Sequence, residues 1–199
     1  MTISSLKIQH IIKLIYFNTT PAFKRGCVMI NINVTKNYGY PDFSNVGSDL
    51  LEQKFNLSKH ELEFINKVRQ KKNRLGFAVL LKTFNYLGYF VNDLNKVPNR
   101  IVLHIAHQLE LDVQDIKGYN NLKSVKGYHI RIIKKYYGIS IFDSESKGLI
   151  FKWLLEQCRI TSDYINIVKS CIQKIKIENF ELPSVNSIES LVDLALETI

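Results

Sequence analysis

The chain has 199 residues, enough for one hydrophobic core or two small helical lobes and too few for a multi-domain machine. Its 27 lysine and arginine residues exceed its 18 aspartate and glutamate residues, a formal net charge of +9, so the expected partner is a polyanion, with nucleic acid ahead of an anionic membrane surface. The composition is 46% hydrophobic and 23% charged, values that exclude a disordered polycationic tail and predict a folded chain.

The first 55 residues differ from the rest of the chain in composition and in the periodicity of their apolar residues. They hold two of the four prolines and three of the nine glycines, and their apolar residues show little sustained periodicity. We therefore predict a weakly ordered N-terminal extension over residues 1–55 and a helical domain over residues 56–199. Polar residues interrupt the apolar stretch 3–17 and no small-residue cleavage site follows it, so neither a signal peptide nor a membrane span is predicted. Met29 is an alternative start.

Helix signals become regular from residue 58. Ser58 and Glu61 form an S-x-x-E capping box, in which each side chain satisfies a free backbone N–H of the first helical turn, so a helix is predicted to begin there. It is predicted to end in the basic string that follows residue 68, because lysine and arginine suit a helix C-terminus. A second, buried helix is predicted over residues 74–87, which are almost entirely apolar until Lys82 and Asn85.

Further helical segments follow along the chain by the same criteria. Pro98 suits a first helical turn, Asp112 is predicted to cap a short helix, and Gly138 is predicted to stop a helix in the left-handed conformation. The predicted segments are 98–109, 113–117, 122–137, 144–158, 161–177 and 187–199. Strand signals are confined to residues 28–34 and 139–142. This pattern predicts an all-α fold, a compact multi-helix domain of one or two lobes behind a weakly ordered N-terminal segment.

Four blocks of sequence between residues 56 and 194 carry a family resemblance. The blocks are L-S-K-H-E-L at 57–62 with N-R-L-G-F-A at 73–78, V-P at 97–98 with A-H-Q-L-E-L at 106–111, H-I at 129–130 with Y-Y-G-I at 136–139, and L-P at 182–183 with I-E-S-L-V at 188–192. With blocks in this order, the chain resembles the amino-terminal domain of Tn3-family transposases, a region described as a domain of unknown function.

The resemblance implies recognition of the terminal inverted repeats of a transposon, the task of the amino-terminal part in this family. Family transposases are several times longer, and their catalytic carboxylates lie on an RNase H-like core far beyond residue 199. We therefore expect a non-enzymatic, DNA-binding part of a transposase. Its expected partners are double-stranded DNA at transposon ends and other transposase subunits, without a membrane and without a cofactor.

Two basic clusters are the candidate DNA-binding sites. They are Arg69, Lys71, Lys72, Asn73 and Arg74 in the first cluster, and Lys123, Lys126, Arg131, Lys134 and Lys135 in the second. The alternative for the first cluster is a solvated helix end in which Arg74 caps carbonyl groups, and the alternative for the second is a helix on a membrane surface. Tyr128 and His129 are predicted to pack at the core or its boundary rather than against sugar and phosphate.

Residue types that often mark active sites have structural explanations here. Cys27, Cys158 and Cys171 give an odd count without a C-x-x-C pair, which argues against a disulfide framework or a zinc site and favours a reducing, cytoplasmic setting. Cys158 and Cys171 lie on apolar helical stripes and are predicted core residues. His104 and His107 lack a matching ligand set elsewhere, so no metal site is expected.

Two other functions are open at this point. One is a protein–protein assembly module of a transposition complex, because a basic helical surface also fits an acidic partner region. The other is a small nuclease, although the chain offers no convincing constellation of carboxylates for a metal ion. Salt-dependent binding that prefers a terminal repeat over random DNA distinguishes DNA recognition from both.

Overall fold

The computed structural model of the chain describes residues 38–199. The expectations for residues 1–37, including Cys27, Met29 and the strand signal at 28–34, lie outside the described residues. The α-helices are α1 (Ser48–Phe55), α2 (Lys59–Asn66), α3 (Lys71–Leu87), α4 (Asn99–Leu109), α5 (Lys123–Tyr137), α6 (Ser144–Ile160), α7 (Tyr164–Ile177) and α8 (Val185–Thr198). The only β contact within residues 38–199 is one bridge between Ser140 and Phe180. The predicted all-α fold is confirmed.

The sequence signals account for several of the observed helix ends. The Ser58 hydroxyl accepts a hydrogen bond from the Glu61 N–H, and the Glu61 carboxylate accepts one from the Ser58 N–H, so the capping box starts α2 as predicted. Gly138 ends α5 in the left-handed region with a φ of 66°, and Asp112 caps a 3-10 turn. In contrast, α1 has no counterpart among the predicted helices, and α3 begins at Lys71 rather than at residue 74.

The predicted weak order does not extend to residues 38–55, which pack against both halves of the molecule. Val46 and Phe55 are buried in the core that spans residues 46–133. Tyr38 is buried in the core of the last three helices, and the Tyr40 hydroxyl donates to the Pro183 carbonyl at 2.9 Å. Single anchoring side chains make these contacts, and they leave no periodic pattern in the sequence.

The first lobe comprises α1–α5 and buries α3 at its centre. Every residue of α3 from Leu75 to Phe84 is buried. The Lys82 ammonium lies 3.0 Å from the Glu61 carboxylate in a buried ion pair, and the Tyr137 hydroxyl donates to the same carboxylate at 3.4 Å. Helices α2, α3 and α5 therefore meet at one buried carboxylate.

A glycine lets an aromatic ring lie directly on the backbone of α3. A Cβ added at Gly76 would come within 2.3 Å of the Tyr119 ring, so only glycine allows this approach. The Tyr119 hydroxyl and His129 Nδ1 are hydrogen-bonded at 2.5 Å, and their rings are stacked. Because His129 belongs to α5, this contact fixes α5 against the N-terminal half of α3.

The second lobe consists of α6, α7 and α8 around a separate core. Its fully or nearly fully buried residues include Ile150, Leu154, Cys158, Val168, Cys171, Ile172, Ile188 and Val192. Both described cysteines are thus core residues, as predicted. The presence of two separate cores agrees with the two-lobe form of the predicted fold.

Backbone hydrogen bonds between loops join the two lobes. The Ser140 N–H donates to the Asn179 carbonyl at 2.9 Å, and the Glu181 N–H donates to the Ser140 carbonyl at 2.9 Å. The Leu182 N–H donates to the carbonyl of Gly88, the residue that ends α3, at 2.8 Å. These bonds hold the C-terminal end of α5 next to the loop between α7 and α8.

Candidate nucleic-acid interface

The two lobes carry charge of opposite sign. Residues 38–142 hold 16 lysine and arginine residues and nine aspartate and glutamate residues, whereas residues 143–199 hold six and nine. The positive excess of the described residues therefore lies on the first lobe. A polyanion is attracted to this lobe and repelled by the other.

Within the first lobe the positive charge is concentrated in two segments without acidic residues. One segment lies between Glu63 and Asp93 and the other between Asp115 and Asp143, and each contains six lysine or arginine residues. The first segment contains α3 and the second contains α5. Neither segment therefore contains a negative side chain that would neutralise its lysines or repel a bound anion.

Helices α3 and α5 pack side by side and point in the same direction. Phe77 contacts His129 with ring centroids 4.8 Å apart, and Phe84 lies 5.9 Å from Tyr137. From the first contact to the second, the chain advances in the same direction on both helices, so the two helices are parallel. The N-terminal turns of α3 and α5, with their lysines, consequently lie at the same end of the lobe.

The structure divides the first predicted cluster into exposed and structural residues. Arg69, Lys71 and Lys72 are exposed. Asn73 is only 5% exposed and its amide donates to the Gln70 side chain at 3.0 Å, so it is withdrawn from the candidate interface.

Arg74 is also withdrawn from the candidate interface. Its guanidinium donates to the carbonyls of Val68 at 3.0 Å and Asn66 at 3.2 Å, at and just beyond the C-terminal end of α2. Arg74 therefore caps carbonyl groups, the alternative that the sequence left open. The geometry keeps the arginine on the corner between α2 and α3, where two of its N–H groups are already engaged.

The exposed lysines of this corner begin a helix instead of ending one. Helix α2 ends at Asn66, so Lys71 and Lys72 occupy the first turn of α3, and no side chain caps that turn. Cations at this position are disfavoured by the helix dipole, whose N-terminal end is positive. The same free N–H groups and positive potential attract an anion, and the two lysines add to that attraction.

The second predicted cluster divides in the same way. Lys123, Arg131 and Lys135 are exposed on α5. The Lys126 ammonium instead donates to the Val91 carbonyl at 3.1 Å and to the carbonyl of the next residue, and burial lowers its pKa, against the opposing effect of Asp93. Lys126 therefore closes a loop and is withdrawn from the candidate interface.

Lys134 lies at the interface between the two lobes. Its ammonium lies 2.6 Å from the Glu181 carboxylate, and both side chains are largely shielded from solvent. It also lies 5.9 Å from the ring of Phe90. A lysine that is already neutralised in this way contributes little to binding a phosphate, so Lys134 is withdrawn as well.

The exposed face of α5 forms a continuous stripe, which we call the α5 face. Its members are Lys123, Ser124, Gly127, Tyr128, Arg131 and Lys135. The Arg131 guanidinium lies 5.8 Å from the centre of the Tyr128 ring, a cation–π contact. Tyr128 is 54% exposed, unlike the predicted core or boundary position.

His129 differs from its neighbour and is a core residue, as predicted. It is 4% exposed, and burial lowers its pKa to about 4. The neutral ring therefore prevails at neutral pH, and His129 carries no charge to the candidate interface.

A groove of about 640 Å³ borders the C-terminal part of the α5 face. Arg131 and Lys135 line one side, and Asp143 and Glu145 line the start of α6. The Asp143 carboxylate accepts hydrogen bonds from the N–H groups of the first turn of α6, which hold its pKa below the usual value. These carboxylates limit how far a polyanion can extend beyond the α5 face toward the second lobe.

Residues 38–199 bring together no group of three histidine, cysteine, aspartate or glutamate side chains that could hold a metal ion. His104 Nε2 lies 2.7 Å from the Asn56 side-chain oxygen. Burial raises the pKa of the Cys171 thiol to about 12, with a further contribution from Cys158. Among the described helices, none is both long and apolar enough to cross a bilayer.

The sequence match to a known family covers both lobes. Residues 33–195 match the family described as a domain of unknown function, DUF4158. The chain belongs to this family. The matched range includes all residues of the candidate interface and reaches into α8.

Several known proteins with similar sequences are transposases. The chain is 27% identical over 138 residues to the transposase for transposon Tn1546 of Enterococcus faecium, which is 69% of this chain and 14% of that protein. It is 36% identical over 93 residues to the transposase for transposon gamma-delta of Escherichia coli strain K12, 46% of this chain and 9% of that protein. For the transposase for transposon Tn501 of Pseudomonas aeruginosa the identity is 22% over 141 residues, 71% of this chain and 14% of that protein.

These matches confirm the predicted resemblance to the amino-terminal domain of Tn3-family transposases. The chain spans no more than 14% of the length of any of these three relatives.

Proposed function

We propose that this DUF4158 chain binds double-stranded DNA at the terminal inverted repeats of a Tn3-type transposon and that it takes part in transposition without performing the chemical step. A cytoplasmic location, where such DNA is accessible, is part of the proposal. The observation that carries it is a group of exposed cations, just before and at the start of α3 and along the α5 face, that have no ion-pair partner among residues 38–199. They are Arg69, Lys71, Lys72, Lys123, Arg131 and Lys135.

The arrangement of these cations suits a duplex better than a small anion. They come from residues 69–72 at the start of α3 and from the α5 face, and because α3 and α5 run in the same direction, the charges extend from that shared end along α5 instead of converging on one point. A double helix offers a comparable line of negative charge, and each neutralised phosphate releases counterions. The relatives with similar sequences are transposases of named transposons, and this supports transposon ends as the proposed target.

A gel-shift titration over a range of salt concentrations tests the proposal. The probes are the terminal repeats of Tn1546 and gamma-delta, a random duplex, and duplexes selected by the chain from a random-sequence library. We expect tight binding at low salt that weakens steeply as salt rises, with a slope of about −0.9 for each phosphate contacted. A terminal repeat or a selected duplex is expected to bind more tightly than the random duplex.

Charge reversal locates the interface. The double variant Lys123→Glu with Lys135→Glu is expected to lose most of the affinity and to lower the salt slope by about two, since two phosphate contacts disappear. The matched control is Lys152→Glu with Lys169→Glu, which reverses two exposed lysines of the second lobe. If the control variant loses as much affinity as the first variant, net charge and not the first lobe governs binding, and the proposed interface is wrong.

Assembly with other transposase subunits is the second candidate, and the second lobe favours it. Its surface is negatively charged and includes exposed isoleucines at the end of α6 and the start of α7, Ile160 and Ile165. A surface of this kind repels DNA and is suited to protein contacts. Sedimentation of the chain with and without DNA tests this role: a concentration-dependent dimer that Ile160→Ser with Ile165→Ser disrupts would support it, and a monomer at all concentrations would contradict self-assembly.

A further inference from the structure

We infer that α5 enters the major groove of the bound duplex and that Arg131, held against the Tyr128 ring, contacts a base edge instead of a phosphate. The inference rests on the proposed DNA binding and adds to it the residue that distinguishes one sequence from another. Phosphate contacts position a protein on DNA but carry no sequence information, so a recognition function requires at least one such side chain.

Helix α5 is better suited to enter a groove than the other helices of the first lobe, because α1 and α2 expose the carboxylates of Asp49, Glu52 and Glu63. Helix α3 is buried from Leu75 to Phe84 and exposes mainly its first turn. Helix α4 exposes Arg100, Leu103 and His107, but Glu110 follows at its end and adds a negative charge. The α5 face has no acidic residue along its whole length.

The spacing of the lysines on the α5 face exceeds the width of the major groove. Lys123 and Lys135 are separated by about 18 Å at the helical rise of about 1.5 Å per residue. The major groove is about 12 Å wide, so when α5 crosses the groove, these two lysines lie at its rims, next to the phosphates on opposite walls. Tyr128 and Arg131 lie between them and therefore face the floor of the groove, where the base edges are.

The centre of the α5 face allows close approach to the bases. Ser124 and Gly127 present little or no side chain there, and a Cβ added at Gly127 would have no neighbour within 4 Å. Larger residues at these positions would hold the helix backbone away from the groove floor. The longest side chains at the centre are consequently those of Tyr128 and Arg131.

The contact between these two side chains prepares Arg131 for a directed hydrogen bond. The Tyr128 ring lies 5.8 Å from the guanidinium carbon, and no carboxylate among residues 38–199 pairs with Arg131. A cation–π contact occupies the flat face of a guanidinium and leaves its N–H donors at the edge free. A guanidinium edge fits the O6 and N7 acceptors of guanine, which lie in the major groove.

The experiment uses the duplexes that the full chain selects from a random-sequence library. Each guanine in the selected sequence is replaced in turn by 7-deazaguanine, which lacks the N7 acceptor. At one guanine we expect the parent chain to lose about tenfold or more in affinity, the order expected for a good arginine–guanine pair. Arg131→Ala is expected to bind the unmodified duplex with the same loss and to be insensitive to deazaguanine at that position.

Three further variants separate recognition from charge. Arg131→Lys is expected to keep the salt slope and to lose the preference for that guanine. Tyr128→Leu is expected to reduce the preference by severalfold, because the guanidinium loses its support. Lys135→Ala is expected to weaken selected and random duplexes equally. These residues are exposed, so circular dichroism should be unchanged in every variant.

The outcomes distinguish this inference from the proposal on which it depends. If the chain selects a sequence but Arg131→Ala remains as sensitive to every deazaguanine as the parent, base contact by Arg131 is wrong and terminal-repeat recognition still stands. If the chain binds DNA with a salt-dependent affinity but selects no sequence, both sequence recognition and the role of Arg131 fail. If it binds no duplex even at low salt, the proposed function fails and this inference fails with it.

Discussion

The cores of the two lobes are stabilised by different kinds of contact. The first lobe buries polar and charged groups at its centre, namely Glu61 with Lys82 and Tyr119 with His129. The second lobe has an apolar core of three helices, and its one buried polar residue is Ser146 at the start of α6. The polar contacts of the first lobe specify how α2, α3 and α5 lie against one another, and these helices carry the candidate interface. The lobe that holds cations in an array is thus the lobe whose geometry is fixed by buried polar contacts.

The buried ion pair of the first lobe should give the largest stability effect. Lys82→Ala leaves the Glu61 carboxylate buried without its cation, which is expected to lower the free energy of unfolding by about 3–5 kcal/mol. Burial alone would raise the pKa of Glu61, but the Ser58 N–H and the Lys82 ammonium hold it below its usual value. Urea denaturation followed by circular dichroism measures the change.

The control is an ion pair on the surface of the second lobe. Lys174 pairs with Glu178 one turn away on α7, and both side chains are partly exposed. Lys174→Ala is expected to change the free energy of unfolding by less than about 1 kcal/mol. Equal effects of the two variants would mean that the first lobe does not depend on its buried pair.

The buried histidine should make the stability of the first lobe depend on pH. Burial lowers the pKa of His129 to about 4, below the value of about 6.5 in an unfolded chain. The unfolded state therefore binds the proton more readily, and stability that is complete above pH 6.5 is lost as the pH falls toward 4, by up to about 3 kcal/mol.

Thermal unfolding at a series of pH values measures this loss, and His129→Gln is the matched variant because it cannot take up a proton. The variant is expected to show a flatter profile between pH 6.5 and 5, where Glu61 does not yet titrate. No histidine follows residue 129, so the second lobe contributes no histidine to this dependence. A parent profile that is flat over the same range would be evidence against a buried neutral His129.

Glycines in the two lobes should respond oppositely to the same substitution. A Cβ at Gly76 would lie within 2.3 Å of the enclosed Tyr119 ring, so Gly76→Ala is expected to lower the free energy of unfolding by about 1–3 kcal/mol. Gly148 in α6 has no neighbour within 4 Å of an added Cβ, and Gly148→Ala is expected to raise stability by up to about 1 kcal/mol. Chemical denaturation of the two variants measures both changes in the free energy of unfolding. A stabilised Gly76→Ala chain would contradict the close packing of Tyr119 on α3.

Two adjacent lysines should show the smallest effects and the clearest division of roles. Lys134→Met removes the partly buried pair with Glu181 and is expected to lower stability by about 1 kcal/mol or less, with little change in DNA affinity. Lys135→Met is expected to leave stability unchanged and to weaken DNA binding. Denaturation and gel shift on both variants test the assignment, which is reversed if Lys134→Met has the larger effect on binding.

The sequence predicts the helices of this chain better than it predicts which cations are free. The capping box at Ser58 and the stop at Gly138 depend on neighbouring residues, and local patterns show them directly. The partners of Lys126 and Lys134 lie 35 and 47 residues away along the chain, at Val91 and Glu181, so a helix-face pattern counts both lysines as exposed.

Two further differences have the same origin. Residues 38–55 pack through isolated anchors such as Phe55, which a search for periodicity passes over. Lys82 looks like the first polar position of a buried helix, whereas its buried position follows from Glu61, a residue of another helix. Tyr128 and His129 are adjacent and both aromatic, and the packing of His129 against Phe77 and Tyr119, both outside the local sequence pattern, makes it the buried one.

The separation of charge between the lobes also has a consequence for kinetics. A molecule with a positive and a negative end has a permanent electric dipole, which turns in the field of a long polyanion before contact is made. We expect DNA to orient the approaching chain with α5 in front and the last three helices behind. Productive encounters then become more frequent than random collisions allow, and the gain in the association rate disappears as added salt screens the field.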